Sequence, residues 1–222
     1  MKLDEQWQAL TYLTSLSITQ SRNDTDLASK YVALLNGVRH DRMVNGSRVL
    51  GMFYAPASKD RHHAFEGGLV AHLLEMWDCW KLLRHEVMAA PAAHPITDSL
   101  VWRAILHHDL NKVWRYKIVM PSPEWEVDYA KGDEDSLGHL LPSTFKTLAI
   151  LNRFEIPMPP ILMNALVTAE GGFSEGPRPR TETVFAKLIY LCDELSANVL
   201  NRLAANLFWD SKKGGLGGDT SL

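Results

Sequence analysis

The sequence predicts a single all-α domain that carries one small β-hairpin, and three observations support this class. Apolar residues recur at spacings of three and four over most of the chain, which sets them on one face of a helix. With 222 residues, 46% apolar and 22% charged, the chain can bury one sizeable core and is unlike a disordered or fibrous sequence. A single stretch, 113–129, alternates instead and carries β-branched residues on either side of a Pro/Ser turn.

Taken in order, residues 1–20 place Leu3, Trp7, Leu10, Leu13 and Leu16 at helical spacing. Residues 25–38 do the same with Leu27, Tyr31, Leu34 and Leu35 behind an Asp/Thr cap. Both read as packing helices. Residues 41–56, with Gly46 and Gly51, read as a loop. A third helix follows Gly67 and Gly68, with Leu69, Leu73, Met76, Trp77 and Trp80 facing inward, and it breaks at the prolines of 91–95. His85 and His94 in that region read as surface residues. The apolar run 100–106 ends in His107, His108 and Asp109. The hairpin then pairs 113–119 with 126–129 and reads as a lid or a substrate wall. Trp114, Tyr116 and Trp125 on it could stack a nucleobase, worth about 1–3 kcal/mol per base, or pack on their own domain. Further helices are expected at about 138–153, 159–170 and 181–208, with a loop at 171–179. The domain is expected to span 1–210, with 211–222 a glycine-rich flexible tail, and no internal repeat or second domain is visible.

Composition narrows the function. No apolar run reaches the roughly 18–20 residues needed to span a bilayer, and MKLDEQWQAL carries acidic residues and no cleavable apolar segment, so a cytoplasmic protein is expected. Cys79 and Cys192 both lie in apolar helical patterns and read as buried free thiols. A formal charge of -3 and a pI near 6.3 argue against a large nonspecific nucleic-acid surface, since such binding rests on Lys and Arg neutralising phosphates. A small anionic substrate needs only a local basic pocket.

Three apolar helices each bring a costly ionisable group inward. His72 stands at the edge of a buried face; His108 and Asp109 end the second run; Asp193 lies within KLIYLCDELSANVL among Leu188, Ile189, Leu191 and Leu195. Taken singly, each has a plain explanation as a satisfied core histidine or a solvated helix end. Together they point to metal: a buried unpaired carboxylate costs several kcal/mol, and one divalent cation satisfies imidazole and carboxylate alike. The ligand types fit Mn, Fe, Ni, Co, Zn or Mg and do not choose among them. Arg61 and Lys112 are candidates to neutralise phosphate charge. Glu75, one turn beyond His72, reads as a supporting or surface residue.

The order and type of His72, His108, Asp109 and Asp193 resemble the HD-domain metal-dependent phosphohydrolases. The resemblance is closer to the HD domains of bacterial 3'-5' exoribonucleases and related proteins. It runs through FYAPASKDRHHAFEGGLVAHLLEM, LHHDLNKVWRY, SLGHL and FSEGPRPRTETVFAKLIYLCDELSANV, roughly residues 52 to 200. It implies an HD-domain helical bundle with the hairpin after the His-Asp motif, and metal ligation by His72, His108, Asp109 and Asp193. It also implies a role for the retained Lys112 and places His62 and His63 at the mouth of the site, where one contacts phosphate or assists proton transfer. The chain departs from that branch at Thr168-Ala169-Glu170-Gly171, where two adjacent histidines usually complete a second metal site, and at Asn111, where glycine is usual. A possible second ion is therefore left to His139 and Glu170, and one firmly held metal is expected.

The implied activity is hydrolysis of a phosphoester or phosphoanhydride of a nucleotide or deoxynucleotide by water activated on a divalent metal, with Asp109, Lys112 and His63 as catalytic residues and Arg61, His62, Trp114 and Tyr116 on the substrate. One alternative is 3'-5' exonuclease action on RNA or single-stranded DNA, with a short 3' end as partner. Another is a degenerate domain that binds a nucleotide as a sensor. Homo-oligomerisation is compatible with all three.

Overall fold

A computed structural model describes residues 1–22, 24–44, 46–58, 61–90, 96–119, 128–131, 143–169 and 183–200. It is mostly helical. Helix α1 (Leu3–Arg22) lies against α2 (Thr25–Arg39), α3 (Gly68–Ala89) and α4 (Asp98–His108), and α4 also packs against α6 (Pro160–Ala169) and α7 (Val184–Glu194). Helix α5 (Ser143–Arg153) reaches the short 3-10 turn Leu110–Lys112 that follows α4.

Side chains placed at the helix starts define them. Asp24 accepts from Leu27 N at 2.9 Å, Thr97 from Leu100 N at 3.2 Å and Thr183 from Ala186 N at 3.1 Å, each satisfying an amide that has no partner within its own helix. The caps are thus residues just before the first turn, including Asp24 rather than Thr25 for α2. The faces behind these caps close over one core, whose largest fully buried side chains include Trp80, Trp102 and Tyr31. The indoles keep their polar atoms satisfied: Trp102 Nε1 donates to Thr14 Oγ1 at 3.0 Å and Trp80 Nε1 to Asp98 Oδ1 at 3.0 Å. Among the described residues no helix is long and apolar enough to cross a membrane.

The β-structure is larger than expected. Residues 41–56 do not form a plain loop: β1 (Arg42–Val44) and β2 (Ser47–Val49) make a hairpin with Arg42 opposite Val49, turning at Gly46, whose φ is +86°. Val49 pairs with Lys117, joining this hairpin to β3 (Tyr116–Val119), and β3 pairs with β4 (Asp128–Lys131). All pairings are antiparallel and the order is β1-β2-β3-β4. The one hairpin predicted is therefore one half of a four-stranded sheet. Its first strand also starts later than Val113, because Trp114 has φ +56° and its amide donates to Leu50 O at 2.8 Å, which ties the turn to the end of β2.

At the C-terminal end of the described chain, α7 does not continue as α-helix. It widens into the π-helical turn Leu195–Leu200, a form that recurs beside functional sites.

Candidate metal centre

The start of α3 is shaped by close approach. A Cβ on Gly68 would stand 1.9 Å from His63 O, so only glycine lets the 61–67 turn fold back onto the helix. His63 itself has φ +49°, an uncommon conformation outside glycine that costs on the order of 1 kcal/mol. The tight turn sets His62 and His63 over His72, with ring centroids 4.9 and 5.2 Å from it. His108, at the last turn of α4, closes the group at 5.5 Å from His72.

Hydrogen bonds decide which nitrogen each ring offers. His108 Nδ1 is 2.6 Å from Ile105 O; a carbonyl only accepts, so Nδ1 carries a proton, and in the neutral ring that a metal requires the lone pair lies on Nε2. His72 Nδ1 is 2.9 Å from Ser196 Oγ, and Ser196 in turn donates to Glu75 Oε2 at 2.5 Å. Both Nε2 atoms are buried with no hydrogen-bonded partner among the described residues. They nevertheless face carboxylates. His108 Nε2 lies 3.3 Å and His72 Nε2 3.7 Å from Asp109 Oδ2, and His72 Nε2 lies 3.1 Å from Asp193 Oδ1.

His72, His108 and Asp109 form a buried group that could hold a metal ion: their ligand atoms lie within 4.8 Å of one another. Two imidazole Nε2 atoms beside a buried carboxylate, with each opposite ring nitrogen hydrogen-bonded to an oxygen, suit a divalent cation. Asp193 touches His72 but is not part of that triplet.

Charge in the cluster is balanced by partners rather than by water. Burial alone would push Asp109 up, yet His108 and Lys112 hold it well below the usual carboxylate range. Lys112 Nζ is 2.6 Å from Asp109 Oδ2, and although burial opposes its charge, Asp109 keeps its affinity for the proton raised. Burial also opposes a charge on His108, but Asp109 and Asp193 prevail and push it up to about 9. For His72 burial wins over its two carboxylate neighbours and the pKa falls. His62 is lowered to about 4, by burial first and then by His72 and Lys112. Glu75 is held below its ordinary value because hydrogen bonds from His63 and Ser196 outweigh its partial burial.

The expected site residues separate into three sets. His72, His108, Asp109, Lys112, His62 and His63 come together, with Asp193 at the edge. Arg61 is exposed, its amide bonded to Ser58 Oγ at 2.9 Å. Of the two roles open to the hairpin aromatics, Tyr116 takes packing on its own domain, buried in the core, while one face of Trp114 is covered by the Arg42 guanidinium at 3.2 Å and its indole N–H donates to His40 O at 3.0 Å. The reason is the sheet, in which Val49 pairs with Lys117 and so sets the β1–β2 hairpin beside β3 and the turn before it. His139, Glu170, Trp125 and His94 lie outside the described residues, as does the tail 211–222. His85 is exposed beside Glu86, and Cys79 and Cys192 are buried free thiols, as the sequence led us to expect.

Sequence reasoning missed Ser196. The signal was its position three residues after Asp193, matched by Glu75 three residues after His72, a spacing that puts both members of each pair on one face. Comparison with protein-family models, with curated proteins and with solved structures found no match for this chain.

Proposed function

We propose that this chain is a cytoplasmic metal-dependent phosphohydrolase with an HD-domain fold, cleaving a phosphoester or phosphoanhydride of a nucleotide or deoxynucleotide. The observation that carries the reading is the pair of buried imidazoles, His72 and His108, each with Nδ1 against an oxygen, Ser196 Oγ and Ile105 O, and Nε2 within 3.7 Å of Asp109 Oδ2. A divalent ion bound by these residues supplies Lewis acidity, which lowers the pKa of water and polarises phosphorus.

The chain's own groups have distinct tasks in this reading. His72, His108 and Asp109 hold the ion, and Asp193 serves as a fourth ligand from α7. Lys112 is engaged with Asp109 at 2.6 Å, so its task is to keep that carboxylate ionised and oriented. Phosphate contact then passes to the 61–63 turn. His62 has a buried Nε2 without a hydrogen-bonded partner among the described residues, and its lowered pKa keeps the ring neutral near pH 7, able to donate from one nitrogen and accept at the other. Arg61, exposed at the same turn, adds positive charge for an anionic substrate.

The test is release of phosphate, pyrophosphate or triphosphate from NTPs, dNTPs, NMPs and short 3'-ended oligonucleotides, each with Mn, Mg, Co, Ni or Zn, and with Asp109→Ala as the blank. Turnover of a mononucleotide that vanishes in the blank is expected. Shortening of oligonucleotides alone would transfer the reading to an exonuclease, and nucleotide binding without turnover would make the chain a sensor. Equal turnover in Asp109→Ala would remove the assignment altogether.

A further inference from the structure

The side of His72 facing away from Asp109 carries an arrangement that metal ligation by itself does not require. His72 Nδ1 meets Ser196 Oγ at 2.9 Å; Ser196 Oγ meets Glu75 Oε2 at 2.5 Å; Glu75 Oε2 meets His63 Nε2 at 3.1 Å. Four side chains from the 61–67 turn, α3 and the π-helical turn are thus linked through one hydroxyl and one carboxylate. Ser196 and His72 are both fully buried, so water does not reach the bond between them, while Glu75 is partly exposed.

A neutral imidazole has one proton to place, and two sets of acceptors compete for that of His72. Asp193 at 3.1 Å and Asp109 at 3.7 Å draw it to Nε2, where it would occupy the position a metal needs. Ser196 draws it to Nδ1 only if its own hydroxyl hydrogen points elsewhere. An ionised carboxylate has no hydrogen to give, so the Ser196 hydroxyl donates to Glu75 and presents a lone pair to His72. We propose that Glu75 and Ser196 are positioning residues for the metal centre: by taking the Ser196 hydrogen bond, Glu75 makes Ser196 an acceptor for His72 Nδ1–H and leaves the His72 lone pair on Nε2. The same carboxylate binds His63, so the ligand's tautomer and the placement of the 61–63 turn share one anchor. This inference rests on the metal reading of the site, but the proton position is a property of the metal-free protein.

That makes it measurable without turnover. Long-range proton–nitrogen NMR of the metal-free full chain distinguishes the two neutral tautomers, with His72→Gln used to assign the signal. The wild type is expected to show His72 as the Nδ1–H form. Glu75→Ala frees the Ser196 hydroxyl to donate and should move His72 to the Nε2–H form, whereas Glu75→Gln keeps an acceptor oxygen and should leave it unchanged. Cobalt affinity measured by calorimetry should fall about 10–100-fold in Glu75→Ala and in Ser196→Ala, and stay within about threefold in Glu75→Gln. An Nε2–H form in the wild type overturns the proposal, as does an unchanged tautomer in a folded Glu75→Ala protein. Wild-type protein that takes up no metal would instead defeat the proposed function, while the tautomer result still decides the positioning role.

Discussion

His107 and His108 are neighbours at the end of one helix, both are buried, and they meet opposite surroundings. His107 turns toward α2, where Tyr31 OH lies 2.7 Å from its Nε2 and Arg103 Nε donates to the same phenol oxygen at 3.0 Å. Among the described residues that node contains a cation and no carboxylate, and burial together with Arg103 and His108 lowers His107 to about 3. His108 turns toward Asp109 and Asp193 and is pushed up to about 9. Equal burial therefore does not make equal histidines. The charge that each ring faces decides whether it serves as a neutral packing group or as part of an ionic cluster.

The comparison can be broken most sharply by metal. His108→Gln should weaken divalent metal binding by more than the roughly 100-fold that loss of an outer partner can cause. His107→Gln should leave it within about threefold, because this ring supports only the Tyr31 node. Equal losses in the two variants, read by calorimetry, would erase the distinction.

Acid and base should separate the neighbours next. With an ordinary value of 6.5 in the unfolded chain and about 3 in the fold, His107 is protonated preferentially by the unfolded state, so its contribution to stability is lost as pH falls from 6.5 toward 3. His108, raised to about 9, contributes stability that is complete below 6.5 and is lost as pH rises from 6.5 through 9. The joint contribution of these two groups to the metal-free protein should thus be greatest near pH 6.5. Denaturant unfolding across pH 4–10 should lose part of its acid-side slope in His107→Gln and part of its alkaline-side slope in His108→Gln; the same side flattening in both would contradict the assignment.

Tyr31→Phe is the mildest change. It deletes the hydroxyl between Arg103 and His107 and should cost about 1–3 kcal/mol of stability through the buried ring nitrogen left behind. Thermal unfolding should register that loss while metal affinity stays at the wild-type level.

What could be read in the sequence follows the same division between local and distant causes. Helical spacing placed Leu69, Leu73, Met76 and Trp80 inward, and the structure buries all four. The coincidence of His72, His108 and Asp109 was legible because ionisable residues on apolar faces need partners. The sheet was not, since β1 and β2 are three residues each, too short for alternation to register, although Asn45-Gly46 is a hairpin signal. Tyr116 was left between stacking and packing because alternation reveals two faces without telling which is covered, and its burial decides for packing. Ser196 was missed for a third reason: its spacing from Asp193 is a weak signal alone, and its partner Glu75 lies 121 residues away, a contact that only the fold makes.

The most direct test of the account is a titration of metal-free protein with cobalt, following heat and the visible spectrum, for the wild type and Asp109→Ala. The account predicts one tightly held ion per chain, with nitrogen and oxygen ligands, and its loss in the variant. No uptake by the wild type, or equal uptake by Asp109→Ala, would contradict it.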